Sequence, residues 1–152
     1  EIDRQRRAKG SFGIVMMDVD HFKHFNDTHG HPAGDTLLRD LASVLRENTR
    51  STDFVGRYGG EEFAVLLLDV DLENALARAE KLRALISAYP FENGATQPLG
   101  RLSVSMGVAI FPDDGNSMAL VMEAADRALY EAKRRGRDRV CSARDIVDGE
   151  ST

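Results

Sequence analysis

The hexapeptide Phe12-Gly13-Ile14-Val15-Met16-Met17 is apolar throughout, and it runs directly into Asp18-Val19-Asp20. Successive strand residues point to opposite faces of a sheet, so a run like this reads as a strand buried on both sides. Carboxylates at the end of a buried strand are costly unless they are paired or metal-bound. A second acidic element follows in Arg57-Tyr58-Gly59-Gly60-Glu61-Glu62-Phe63. Its glycines lack Cβ, so they can take positive φ, close a tight hairpin between Asp53–Tyr58 and Phe63–Leu68, and let a bulky ligand reach the backbone. Glu61 then sits at the tip and Glu62 at the strand start, facing opposite ways. An ordinary Gly-Gly hairpin with solvated acids fits this segment as well as a metal turn does.

The two acidic elements together favour the metal. Hard cations such as Mg2+ take oxygen ligands, usually one or two carboxylates plus substrate phosphates and water. Asp18 and Glu61 could bridge two such ions, which in two-metal sites lie about 3.5–4 Å apart and clamp both oxygens of a phosphoryl displacement. Phosphate chemistry also needs protein cations. Lys133 and Arg137 flank Arg134-Arg135-Gly136 at the end of an expected helix, and Lys23 follows the acidic strand end. Taken alone, that basic helix end could simply complement the helix dipole.

The remaining pattern predicts an α/β fold, a mainly antiparallel central sheet flanked by helices. Leu72, Ala75, Leu76, Ala79, Leu82 and Ile86 recur at helical spacing, with Glu73, Arg78, Glu80 and Arg83 mostly elsewhere. Further helices are expected over Asp35–Glu47 and over Ser117–Arg135, the last capped by Asn116 or Ser117 and ended by Gly136. In Leu102–Ile110, large residues alternate with Ser103, Ser105, Gly107 and Ala109, a small face that admits a closely packed helix. Pro112-Asp113-Asp114-Gly115 reads as a turn.

Composition sets the limits. A chain of 152 residues with 42% apolar content suits one domain around a single core. No segment is long and apolar enough to span a bilayer, and no signal peptide is visible. The net charge of −5 argues against broad nucleic-acid binding. Cys141, the lone cysteine, permits a reducing cytoplasm and reads as a packing residue.

Asp18-Val19-Asp20-His21-Phe22-Lys23, Asn26-Asp27, Gly30-His31, Gly34-Asp35, Arg57 to Phe63, and Tyr130-Glu131-Ala132-Lys133 through Arg137 closely resemble the GGDEF family of diguanylate cyclases, in its GGEEF variant. The resemblance is ordered and covers about Phe12 to Val140. It implies a palm-like nucleotidyl-cyclase fold and condensation of two GTP into cyclic di-GMP with release of two pyrophosphates, one GTP being carried by each domain of a homodimer. It further implies two Mg2+ or Mn2+ ions per half-site on Asp18, the Val19 carbonyl and Glu61, with Glu62 supporting a metal or bracing the turn. Glu61 would also take the proton of the attacking 3′-hydroxyl, and Lys23 would stabilise transition-state charge. Asn26, His31 and Asp35 match nucleoside positions, Gly59 and Gly60 the bare turn against the substrate, and Lys133 and Arg137 the triphosphate positions. A carboxylate can accept from both N1–H and the 2-amino group of guanine, which favours GTP over ATP.

Arg50-Ser51-Thr52-Asp53 matches the family's RxxD inhibitory product site, where an arginine fork can grip a phosphate or a guanine edge. The further basic residue that relatives draw from the next helix is expected at Lys81, with Arg83 nearby. Cyclic di-GMP is thus expected as product and inhibitor. A GTP- or cyclic-di-GMP-binding module without activity is the rival class, although such relatives usually lose the hairpin acids kept here.

His21, His24, His29 and His31 fall within eleven residues; His21 and His24 could share a helix face, but Gly30 and Pro32 interrupt the rest of a zinc-ligating spacing. Surface imidazoles are expected for three of them and nucleotide contact for His31, with Phe22 and Phe25 packing a helix. Residues 1–11 read as a linker or the tail of a helix from a missing sensory or receiver region, 12–142 as the catalytic domain, and 143–152 as a frayed tail.

Overall fold

The computed structural model describes residues 10–146 of the chain. Strands β1 (Phe12–Val19), β2 (Phe54–Arg57), β3 (Glu62–Leu68), β4 (Val104–Phe111) and β5 (Val140–Ser142) form one sheet in the order β2-β3-β1-β4-β5. The expected apolar strand is the central one. β1 pairs antiparallel with β3, from Phe12 opposite Leu68 to Asp18 opposite Glu62, and with β4 on its other edge. β5 joins β4 in parallel, so the sheet is mixed: antiparallel in its main body and parallel at that edge.

Alternation along β1 divides the core. Val15, Met17 and Val19 face helices α1 (Phe22–His29), α2 (His31–Glu47) and α3 (Leu72–Ala88), where Phe25, Leu41, Ala79 and Ile86 are buried. Ile14 and Met16 face α4 (Met118–Arg134), meeting Val121, Ala125 and Leu129. Asp71 caps α3, its side chain accepting the Asn74 amide at 2.8 Å, and the Ser117 hydroxyl accepts the Leu120 amide at the start of α4. Phe25 is 1% exposed, which confirms it as a packing residue. Cys141 packs against Ala128 and Ala132, where burial pushes its thiol pKa up.

The second helix begins four residues earlier than the expected Asp35. Pro32 sits in its first turn, where a missing N–H breaks no hydrogen bond, so it starts this helix rather than interrupting it. Gly34 lies inside the helix for a packing reason. A Cβ there would stand 1.9 Å from Asn26 Oδ1. Ala143–Asp145, the first residues of the expected tail, form a 3-10 turn closed by reciprocal bonds between Ser142 and Asp145. Gly10 donates to Asp69 at 2.8 Å and Ser11 to the Val70 carbonyl at 2.8 Å, which ties both residues to the sheet. The expected linker at residues 1–9 and the tail from 147 onward lie outside the described residues.

Gly107 shows why the small face of β4 matters. A Cβ at this position would lie 2.1 Å from the Ala125 carbonyl oxygen and 2.2 Å from the Leu129 amide nitrogen, both backbone atoms of α4. The helix rests directly on the strand. Gly107→Ala should therefore lower the stability to urea unfolding by about 3 kcal/mol or more, at the upper end of overpacking costs because backbone cannot rotate out of the way.

Candidate active site

Charged groups from β1, the glycine turn, α1 and the end of α4 meet at one end of the sheet. Asp18, the last residue but one of β1, has a side chain 8% exposed and ion-paired with Lys133 from the last turn of α4. The Val19 amide donates to the Glu61 carbonyl at 3.2 Å, which stitches the glycine turn to the end of β1. Asp18, Val19, Lys23, Glu61, Lys133 and Arg137 thus border a single open cleft of ≈ 310 Å3. Glu62 stands opposite Asp18 in the β1–β3 register, on the face covered by α4.

The cleft is acidic in a way that invites a cation. Burial pushes the Asp18 carboxyl above its ordinary pKa; the hydrogen bond and charge of Lys133 pull it down, while Glu61 and Asp20 push it up again. Glu62 is likewise raised, by burial first and then by the charges of Asp18 and Asp126. A divalent ion beside Asp18 and Glu61 would offset both effects, and an all-oxygen donor set suits Mg2+ or Mn2+. Among the described residues no three His, Cys, Asp or Glu side chains are arranged to hold a metal by themselves. Substrate phosphates and water would complete such a shell.

The turn itself departs from expectation. Neither Gly59 nor Gly60 has positive φ. The Tyr58 and Gly59 amides both point to the Glu62 carbonyl, at 2.8 and 3.4 Å, and Arg57 donates to the Gly60 carbonyl through Nε and Nη2 at 3.0 and 2.7 Å. A four-residue loop closed in this way needs no left-handed residue. No atom lies within 4 Å of where a Gly60 Cβ would be, so the bare backbone there is open to a ligand.

Asn26, His31 and Asp35 gather apart from the acids, at the α1–α2 junction. His31 and Asp35 are exposed one turn apart on α2. Asn26 lies over Gly34, and its Oδ1 is buried without a hydrogen-bond partner among the described residues. An acceptor in that state calls for a donor. The neighbouring imidazoles are engaged elsewhere: His24 Nδ1 meets Gln97 Oε1 at 3.1 Å and His29 Nε2 meets Thr96 Oγ1 at 2.6 Å.

Two features were not drawn from the sequence. Gly136, Arg137 and Asp138 take positive φ in succession, at 120°, 68° and 49°. For the two non-glycine residues this backbone costs on the order of 1 kcal/mol each. Arg137 is presented by a strained turn. The other feature is Arg78, which pairs with Asp53 where Lys81 was the expected contributor. Lys81 does border the same pocket of ≈ 280 Å3 with Arg50 and Arg78, whereas Arg83 turns away to Glu80 and Asp138. Arg78 and Lys81 are three apart on one helix, and that spacing was the available signal.

Fold and cleft together define an α/β domain whose sheet end gathers acids and phosphate-sized cations around one opening. The family profile described as "Diguanylate cyclase, GGDEF domain" matches residues 1–139, and the chain belongs to the GGDEF family. It is 45% identical over 141 residues to the diguanylate cyclase DgcP of Pseudomonas aeruginosa, covering 92% of this chain and 20% of that protein. The active GGEEF domain of a diguanylate cyclase from Vibrio cholerae superposes with a TM-score of 0.78 at 31% identity, covering 93% of this chain and 88% of the other. The GGDEF domain of DgcB from Caulobacter crescentus, solved in complex with c-di-GMP, gives 0.79 at 36% identity, covering 94% and 83%. The chain spans 20% to 37% of the length of three curated relatives that it matches.

Asp53 supplies a test independent of activity. Its burial would raise the carboxyl, but Arg78 and the Arg50 amide at 2.9 Å outweigh this and hold it below the usual range. A depressed carboxyl stabilises the fold above its unfolded value, and that stability is lost as pH falls through the folded one. Asp53→Asn should therefore cost about 2 kcal/mol in denaturant titrations at pH 7. The gap to wild type should narrow steadily below about pH 4.

Proposed function

We propose that this domain is a diguanylate cyclase that joins two GTP molecules into cyclic di-GMP. The convergence of Asp18, Glu61, Lys133 and Arg137 on one cleft carries this reading. In each step the 3′-hydroxyl of one GTP attacks the α-phosphorus of the other. A P–O bond forms there, the bond to the β-phosphate bridge breaks, and pyrophosphate leaves. Mg2+ or Mn2+, two per half-site, would supply Lewis-acid activation of the hydroxyl and neutralise charge on the phosphates.

The chain's own residues do the rest. Asp18, Glu61 and the Val19 carbonyl would hold the ions, and Glu62 would support them from the α4 face. Glu61 also accepts the 3′-hydroxyl proton and passes it to water. Lys133 and Arg137 grip the β- and γ-phosphates, and the exposed Lys23 meets charge developing in the transition state. Guanine recognition falls to Asn26, His31 and Asp35, where Asp35 accepts from N1–H and the 2-amino group, and Asn26 Oδ1 gains its missing donor. The bare Gly59–Gly60 backbone leaves room for the sugar and phosphates.

Each domain carries one GTP, so turnover needs two domains face to face and a homodimer is the working unit. A cytoplasmic setting with an upstream sensory or receiver region, either of which could be tethered to a membrane, fits a GTP-consuming signalling domain. Among the described residues no helix is long and apolar enough to cross a membrane.

Incubation with GTP and Mg2+ followed by mass detection should give cyclic di-GMP from the wild type and none from Glu61→Ala. The rate should rise more steeply than linearly with protein concentration across the micromolar range, since a second-order encounter supplies the other half-site. Pyrophosphate without a cyclic dinucleotide would replace this reading with simple hydrolysis.

Arg50, Asp53, Arg78 and Lys81 form the proposed inhibitory site for the product. Added cyclic di-GMP should suppress the wild-type rate and leave Arg50→Ala at least about tenfold less sensitive, a loss matching one bidentate arginine contact. Equal inhibition of the two proteins would remove the site.

A further inference from the structure

Asp20 has no part in the chemistry above, yet its carboxylate is fully engaged. It is 3% exposed. Oδ1 accepts the Ser105 hydroxyl at 2.6 Å, and Oδ2 accepts the Ser103 hydroxyl at 2.8 Å and the Asp138 amide at 3.0 Å. The serines belong to β4 or the residue before it, and Asp138 to the turn that follows α4. One side chain therefore joins the end of β1 to both. Its neighbour in sequence, Asp18, instead faces Lys133 and the acids of the cleft.

The turn it holds is the strained one. Positive φ persists in ordinary residues only where surrounding contacts over-determine it. The Gly136 amide bonds the Lys133 carbonyl at 3.2 Å and the Arg137 amide bonds the Ala132 carbonyl at 3.0 Å, so both ties stay within the end of α4. The third amide, Asp138, reaches Asp20. Arg83 and Arg101 anchor the Asp138 side chain from the outside at 2.7 and 2.5 Å. Asp20 takes the N–H of the peptide immediately following Arg137 and ties it to the sheet, while the carbonyl of that peptide accepts Arg139 Nε at 3.0 Å from within the turn.

We propose that Asp20 is a positioning residue: its carboxylate holds the turn 136–138 so that Arg137 faces the cleft. The inference rests on the reading in which Arg137 binds the phosphates of GTP. It assigns the two acids of Asp18-Val19-Asp20 to different tasks, with Asp18 toward the metal and Asp20 toward the loop.

Binding can be measured with Mg2+ and two probes, a GTP analogue carrying a methylene α,β-bridge and GMP. Asp20→Ala should weaken the analogue at least about tenfold and GMP less than about twofold, and Arg137→Ala should do the same. The double variant should bind the analogue no more weakly than Arg137→Ala alone. Asp20→Asn keeps an acceptor for the Asp138 amide, so its Mg2+ midpoint for analogue binding should match wild type while that of Asp18→Asn rises. Equal losses for both probes, full additivity, or an Asp20→Asn midpoint shifted like that of Asp18→Asn would each overturn the proposal. If Asp20→Ala does not fold, the Ser103→Ala/Ser105→Ala pair should show the same selective loss in weaker form, and wild-type behaviour there would also overturn it. Selective loss in Arg137→Ala without loss in Asp20→Ala sinks this inference alone. Unchanged analogue affinity in Arg137→Ala sinks the phosphate reading of that arginine, and this inference with it.

Discussion

The contact of α4 on β4 organises the molecule. Because Gly107 has no side chain, the helix backbone can lie directly on the strand, and the Ala125–Leu129 turn settles into the gap. The direction and height of α4 above the sheet follow from that contact. Two turns further on, the helix carries Lys133 over the end of β1 and delivers the turn with Arg137 beside it. A helix displaced outward by one methyl group would carry both cations away from Asp18.

Electrostatics then divides the acids. Asp20 and Asp18 both lie at a sheet end and both are buried, but one meets hydroxyls and an amide while the other meets a lysine and further carboxylates. A carboxylate satisfied by neutral donors is a structural tie. One surrounded by like charge and only partly paired stores an unfavourable interaction that a cation can relieve. The same residue type thus ties strands together on one side of the strand end and lines the charged cleft on the other.

Much of this was legible in the residues. The apolar run 12–17, the alternation along Leu102–Ile110 and the helical stripe of Leu72–Ile86 marked two strands and a flanking helix, because burial on both faces leaves a continuous apolar run and burial on one face leaves a period; the order of the strands in the sheet was not in them. The acids and cations of the cleft could be nominated together because an ordered family resemblance spans them. Arg78 meets Asp53 across 25 residues of chain, and its three-residue spacing from Lys81 put both on one side of the helix without marking which of them would pair with the acid. The glycines at 59 and 60 could take positive φ, but Arg57, two and three residues upstream, holds their carbonyls in a loop that does not use it, a local side-chain solution no dipeptide preference encodes. The early start of the second helix follows from Pro32, which fits the first turn where no N–H is needed.

The pairing of Asp53 has a consequence for how its pocket responds to a visitor. The acid is anchored by Arg78 and by a main-chain amide, while the Arg50 guanidinium reaches it only at 3.5 Å and stays half exposed. Anchor and arm are separate parts. The arm also donates to the Leu68 carbonyl at 3.1 Å, so turning it toward an anion would exchange that exposed bond while Arg78 and the amide keep the carboxylate in place.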